Sequence, residues 1–287
     1  MKILFFGSKG WIGNQFLNFI NNNNNNIKII ETNVRADNEI LVENIILAHS
    51  PTHIISFIGR THGENINNID YLEQDGKLVD NIRDNLYSPF VLAFLCNKYN
   101  IHLTYLGTGC IFNRNDPESY EYHEDDRPDF FGSSYSIVKG FTDRIMHLYK
   151  SKVLNLRIRM PIVNYNHPRN FITKIISYKN IYSCPNSMTV LNDFYPIIFD
   201  MIIKKTVGTF NLCNKGVISH NQILELYKSI INPNHSWNNC SIIELNSSLK
   251  SKRSNNQLSI SKLESLGYNI PHINDSIHKT LISFNSN

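Results

Sequence analysis

Nothing in this 287-residue chain approaches the roughly 20 consecutive apolar residues that a membrane span requires. No charged, apolar and cleavage-site segments follow one another at its start, so a cytoplasmic setting is expected. Cysteine is scarce: Cys96, Cys110, Cys184, Cys213 and Cys240 are five, an odd number, and far apart. That pattern argues against a disulfide framework and for a reducing compartment. Neither C-x-x-C nor H-E-x-x-H occurs among the five Cys and eleven His, so no metal is expected. Excess charge is small too. A formal +4 is too mild for a nucleic-acid partner, which calls for a concentrated basic face. The densest basic run, Lys250-Ser251-Lys252-Arg253, reads as solvated surface, though an anionic sugar nucleotide would also suit it.

What is present is a globular composition, 41% hydrophobic and 11% aromatic, long enough for an α/β unit with an elaborated second lobe. Ile3-Leu4-Phe5-Phe6 reads as a buried strand running directly into Gly7-Ser8-Lys9-Gly10-Trp11-Ile12-Gly13. Ile12, Phe16, Leu17 and Ile20 then recur at helical spacing. Strand, glycine turn and helix in that order suit a dinucleotide, because the helix N-terminus faces a pyrophosphate and glycines let the backbone come close. Strands are expected again at 27–31, 52–59, 102–106 and 153–158. Helices are expected at 40–48, at about 75–99 and around residues 135–148, the last with Ile137, Phe141, Ile145 and Leu148 facing the core. Asn21 to Asn26 read as a loop. Past Met160-Pro161 the elements shorten and Pro, Asn and Ser increase, until Gly208–Leu212 and a helix from Ile223 to Ile231.

The expected architecture is an α/β doubly wound parallel sheet of Rossmann type. Residues 1–160 form the NAD(P)-binding domain, and 161–287 a smaller substrate lobe with segments returning to the Rossmann core. A cleft between the two is the expected site.

The chemistry concentrates between residues 107 and 139. Gly107-Thr108-Gly109-Cys110-Ile111-Phe112 follows the apolar run of the fourth strand, and Tyr135-Ser136-Ile137-Val138-Lys139 lies on a helical pattern. A Tyr and a Lys four apart share one helix face, where the ammonium stabilises the phenolate. Such a Tyr exchanges a proton with a carbonyl oxygen. Tyr-x-x-x-Lys alone is more often a surface pattern, and Cys110 alone a small buried hydrophobe; the strand, turn and helix around them favour the catalytic reading.

With these residues in place the chain resembles the extended short-chain dehydrogenase/reductases, where the G-x-x-G-x-x-G spacing is at home. Within them it resembles the bifunctional UDP-4-keto-6-deoxyglucose 3,5-epimerase/4-reductases that make UDP-L-rhamnose. The matching segments are Gly10-Trp11-Ile12-Gly13, Thr108 to Phe112, Arg157 to Ile162, Pro168-Arg169-Asn170-Phe171-Ile172-Thr173-Lys174-Ile175, Pro185 to Thr189 and Arg253-Ser254-Asn255-Asn256. One departure is Ser56-Phe57-Ile58-Gly59, where the family often has Asn-Ala-Ala-Gly. The asparagine run suits a viral or AT-rich source, in which case the compartment is a host cytoplasm.

The resemblance implies that Cys110 and Lys174 are the acid/base pair of epimerisation, with the order of base and acid left open. It implies that Tyr135 protonates the C4 alkoxide, that Thr108 hydrogen-bonds the same oxygen, and that Lys139 holds the nicotinamide ribose. Gly7, Gly10, Trp11, Ile12 and Gly13 would bind the cofactor, and Cys110, Asn170, Lys174 and Arg253 the substrate, Arg253 at its diphosphate. Glu31 and Arg35 both lie near the end of the second strand; resemblance favours Arg35 and NADPH, with NADH as the alternative. A homodimer is compatible with this reading. Rivals are a GDP-fucose synthase type of epimerase/reductase using His167, a simple 4-ketosugar reductase needing Tyr135 but not Cys110, and a non-catalytic NADP-binding regulatory subunit.

Overall fold

The computed structural model describes residues 1–23, 26–114, 116 and 119–284. The chain groups into two compact units, neither contiguous: Met1–Thr108, Ser134–Arg157 and Ile197–Phe210 form the first, and Gly109–Ser133, Ile158–Pro196 and Asn211–Asn287 the second. Among the described residues no helix is long and apolar enough to cross a membrane.

The first unit is built on a six-stranded sheet. Strands β1 (Lys2–Phe6), β2 (Lys28–Thr32), β3 (His53–Ser56) and β4 (His102–Thr108) are joined by Val153–Ile158 and Gly208–Asn211. The order across the sheet is Gly208–Asn211, Val153–Ile158, β4, β3, β1, β2. β1 pairs in parallel with β2 on one side and with β3 on the other. From β1 the chain moves outward to β2 and then crosses back to β3 on the other side of β1, so the strand order reverses between β1 and β3, which is where an open parallel sheet offers a crevice. Helices α1 (Trp11–Asn23) and α2 (Glu39–His49) make the first two crossovers. Asn21 to Asn23 thus end a helix rather than begin a loop, and Asn24 and Asn25 lie outside the described residues. The core on one sheet face joins Leu4, Phe6, Ile54, Leu103 and Val153 to Val91, Leu92, Leu95 and Met146 from the helices.

Two helices depart from their expected form. The stretch expected as one helix at 75–99 is α3 (Lys77–Ile82) and α4 (Ser88–Lys98), separated by a π turn over Arg83–Tyr87. Pro89 has no N–H to give the carbonyl four residues earlier, so Asn85 O is free to accept from Thr142 Oγ1 at 2.6 Å. That bond docks the turn on α5 (Ser134–Leu148). α5 in turn buries a stripe rotated from the one its apolar periodicity suggests: Ile145 packs against the core and Ile137 is half-buried, but the other two expected residues face outward. Phe141 and Leu148 are 59% and 81% exposed, while Tyr135, Val138, Lys139, Thr142, Asp143 and Met146 are buried. The polar stripe goes inside because each member finds a partner there. Asp143 accepts from Arg157 Nε at 2.8 Å and Nη2 at 2.7 Å, a two-pronged pair anchoring α5 to the strand beneath it.

The second unit has little sheet. Its strands are parallel two-residue pairs: Glu121–Tyr122 with Gln257–Leu258, Pro161–Ile162 with Thr189–Val190, and Asn180–Ile181 with Asn238–Asn239. Helix α6 (Phe171–Ile176) packs with the helices His220–Ile230 and Ile273–Ile282 around Ile162, Ile172, Met188, Ile218, Leu224 and Ile277. His220–Ile230 begins earlier than its apolar spacing suggests, because Ser219 and Gln222 close a capping box at its start. Elsewhere fully buried asparagines join the loops. Asn211 Nδ2 donates to Tyr122 O and Ser259 O, and Asn214 ties Val190 N to Asp193 and Ser276.

Candidate active site

In the first unit the glycine turn shows why those positions carry no side chain. Gly7 has φ 83°, and a Cβ on it would stand 2.9 Å from the Phe57 carbonyl carbon; one on Gly13 would stand 2.0 Å from Gly7 O. The first intrahelical bond of α1 runs from Asn14 N to Gly10 O, so the amides of Trp11, Ile12 and Gly13 lie ahead of the ladder. A turn stripped of side chains at a helix N-terminus fits a dinucleotide's pyrophosphate.

Glu31 and Arg35 are placed differently. Glu31 sits one residue before the end of β2 and accepts from Ser8 Oγ at 2.8 Å. Arg35 is 57% exposed and lines an open recess with Asn33, Val34, Asp37, Asn38 and Leu41. Its Nε donates to Asp37 at 2.8 Å and its Nη2 to Asp84 at 3.0 Å, and these bonds raise an already high pKa. Asp84 gathers Arg35, Arg60 and Arg83. Burial pushes its carboxyl up, but the bonds from Arg83 and Arg60 leave it below its ordinary value.

Tyr135 and Lys139 lie one turn apart on the buried stripe of α5, 8% and 4% exposed, and Thr108 is the last residue of β4. Lys139 Nζ donates to Tyr105 Oη and lies 4.7 Å from the centre of that ring. Burial pushes the Tyr105 phenol well above its ordinary range, with the charges of Tyr135 and Asp143 adding to it, so Tyr105 is a neutral acceptor. The sequence reading assigned Tyr105 nothing. Its signal was a phenol in the middle of a buried strand, three residues before Thr108.

In the second unit Cys110 is half-buried on the turn after Gly109. Arg159, another residue without an assigned role, lies fully buried beneath that turn: a Cβ on Gly109 would come within 3.0 Å of Arg159 Cγ. No carboxylate pairs with this guanidinium among the described residues. Burial pushes Arg159 down from its ordinary value, against the opposing pull of Cys110, Cys213 and Cys184. All five cysteines are free thiols.

Lys174 is half-buried on α6, and its amine has no acidic partner among the described residues. Desolvation lowers its pKa, and the nearby charges of Arg169 and Arg253 lower it further. Arg253 is half-buried as well, its Nη1 donating to Ser251 O at 3.0 Å. Cys110, Lys174 and Arg253 therefore belong to one unit, and Tyr135, Lys139, Thr108 and Arg35 to the other.

Asn170, expected to touch substrate, is instead structural. It is fully buried, its Oδ1 caps α6 at Ile172 N and takes Val163 N, and its Nδ2 donates to Val163 O and Tyr165 O. All of its hydrogen-bonding capacity faces backbone. His167 Nδ1 accepts from Arg169 N at 3.1 Å, and burial with the nearby charges of Arg169 and Lys174 lowers its pKa.

No family model matches the chain. Known proteins do. The solved L780 UDP-rhamnose synthase of Acanthamoeba polyphaga mimivirus is 50% identical, covers 99% of both chains and superposes with a TM-score of 0.95. The bifunctional dTDP-4-dehydrorhamnose 3,5-epimerase/dTDP-4-dehydrorhamnose reductase of Arabidopsis thaliana is 32% identical over 283 residues, 97% of this chain and 91% of that protein. The trifunctional UDP-glucose 4,6-dehydratase/UDP-4-keto-6-deoxy-D-glucose 3,5-epimerase/UDP-4-keto-L-rhamnose-reductase RHM1 of the same plant is 35% identical over 269 residues. That match takes in 92% of this chain but 39% of the plant protein.

Proposed function

The chain belongs to the bifunctional nucleotide-sugar 3,5-epimerase/4-reductases, a branch of the extended short-chain dehydrogenase/reductases, and we propose that it converts UDP-4-keto-6-deoxy-D-glucose to UDP-L-rhamnose. The observation that carries this reading is Lys174. An amine with no acidic partner among the described residues, its pKa lowered by desolvation and by two neighbouring guanidiniums, gives up and takes back a proton more readily than a surface lysine. A plain ketone reductase has no use for it.

The C4 ketone acidifies the protons on C3 and C5, and inverting a centre needs one group on each face of the ring. Cys110 and Lys174 serve as that pair. Epimerisation precedes reduction, because losing the ketone removes the acidity. NADPH, when bound, supplies the hydride that reduces C4. Tyr135 gives the proton to the resulting alkoxide, Thr108 hydrogen-bonds that oxygen, and Lys139, steadied by Tyr105, holds the nicotinamide ribose and favours the phenolate of Tyr135. Gly7 to Gly13 receive the pyrophosphate. Arg35 takes the adenosine 2′-phosphate; the bond from Ser8 that occupies Glu31 supports this choice over ribose binding by the carboxylate. Arg253, with Arg169 near Lys174, neutralises the substrate diphosphate.

The test is mass spectrometry of the product formed from UDP-4-keto-6-deoxyglucose and NADPH in heavy water. Deuterium at C3 and C5 with reduction at C4 is the expected result. Reduction without exchange would leave a simple ketosugar reductase, and no turnover would discard the UDP sugar as substrate.

A further inference from the structure

Cys110 lies on a turn that makes no regular secondary structure; Gly109 N donates to Ile158 O, Ile111 O accepts from Asp129 N and Phe130 N, and the side-chain bonds to the turn's carbonyls come from one distant segment. Asn256, fully buried, donates from Nδ2 to Gly109 O at 3.0 Å and Phe112 O at 2.8 Å, the two carbonyls that bracket Cys110 and Ile111. Ser254 Oγ donates to Phe112 O at 2.6 Å. One step further along, Asn255 N donates to Asn113 Oδ1 and Arg114 N to Asn255 O. The segment is itself fixed from behind: Arg159 Nη2 donates to Ser254 O and to Asn186 Oδ1, and Asn186 Oδ1 also accepts from Asn256 N.

We propose that Ser254–Asn256 is a positioning device for the Cys110 turn, and hence a determinant of epimerisation but not of ketone reduction; the inference rests on the acid/base role proposed above for Cys110. An apolar residue could fill the volume of Asn256, but it would take the donor from Gly109 O and leave Phe112 O to Ser254 Oγ alone. The cost of choosing asparagine is visible, since Asn256 Oδ1 is buried without a partner. A proton taken from carbon demands close placement of the base, and a misplacement of about 1 Å can lower a rate by about a hundredfold. The reduction residues Tyr135, Lys139 and Thr108 belong to the other unit. The same segment continues into Arg253, so the group proposed for the diphosphate and the group that holds the Cys110 turn are neighbours in the chain.

The experiment compares Asn256→Ala, Ser254→Ala and Cys110→Ser in the full chain with NADPH. Two readouts are taken: deuterium entry at C3 and C5 of UDP-4-keto-6-deoxyglucose in heavy water, and reduction of UDP-4-keto-L-rhamnose, which needs no epimerisation. Asn256→Ala is expected to slow exchange at least about tenfold while reduction stays within about threefold, and Ser254→Ala to move exchange the same way by less. Equal loss of both activities in Ser254→Ala, or unchanged exchange in Asn256→Ala, would overturn the proposal. Should Asn256→Ala fail to fold, Ser254→Ala alone decides by the same criterion. Full exchange in Cys110→Ser would remove the reading of Cys110 and this inference with it, whereas lost exchange there beside normal exchange in Asn256→Ala would remove the inference only.

Discussion

The two units solve the same problem, holding reactive side chains still, by different means. In the first, Tyr135 and Lys139 ride on a fifteen-residue helix and Thr108 on the end of a seven-residue strand, so backbone ladders set their places. In the second, strands are two residues long, Cys110 sits on a turn, and buried asparagine side chains supply the bonds that a sheet would otherwise make. The difference teaches that irregular backbone can be as well determined as regular backbone, provided its carbonyls and amides are met one by one.

Substitutions that separate the two halves of the chemistry test this contrast most severely. Tyr135→Phe is expected to lower reduction of UDP-4-keto-L-rhamnose by about 10²–10⁴-fold while deuterium exchange at C3 and C5 survives, and Lys174→Met to do the reverse. Loss of both activities in either variant would mean that the halves are not separable.

Next in size is the cost of a single amide. Asn186→Ala strips partners from Arg159, Asn256 N and Asn255 together, all buried, and is expected to destabilise the protein by about 3 kcal/mol, read from urea midpoints. A loss under about 0.5 kcal/mol would show that the second unit does not depend on side-chain bonds.

The first unit has its own weak point in acid. His53 and His102 face each other on β3 and β4 with ring centres 5.3 Å apart. Burial, aided by the neighbouring His102, holds His53 down at about 4, and burial lowers His102 as well. Both are neutral in the fold, so their contribution is complete above the unfolded value of about 6.5 and is lost as pH falls from there toward 4. The expected decline is up to ~3 kcal/mol, and His53→Asn should flatten it. Denaturant titrations at pH 8, 6 and 4.5 give the answer.

The smallest effect is predicted where apolar spacing suggests a large one. Phe141→Ser on the outward face of α5 should change stability by no more than about 0.5 kcal/mol, against about 3–5 for a truncated core Phe.

That last case marks where the sequence could and could not be read. The β1, glycine turn and α1 succession was legible because its residues are dictated locally, by strand burial and by glycines that admit no Cβ. Motif and resemblance singled out Thr108, Cys110, Tyr135, Lys139 and Lys174, the residues whose roles are proposed above. The burial of α5 was not, because Asp143, Thr142 and Lys139 are tolerated inside only by partners at Arg157, Asn85 and Tyr105, far away in the chain. Arg159 and Asn256 escaped for the same reason. A buried polar residue is written like a surface one, and only its distant partners tell the two apart. Asn170 failed in the other direction: it stands inside a matching segment, yet its amide serves the backbone.

The asparagine-bound loops also set how the molecule should age. Asparagine is among the residues least durable to heat, hydrolysing slowly to aspartate. At Asn186 or Asn256, both fully buried, the hydrolysis needs a local opening that admits the water it consumes; on reclosing, a donating amide would have been replaced with an anion aimed at backbone carbonyls. Long storage or warmth would then degrade the second unit by chemistry rather than by melting. A preparation could keep its ketone-reducing power on ready-epimerised sugar while its isomerising power faded.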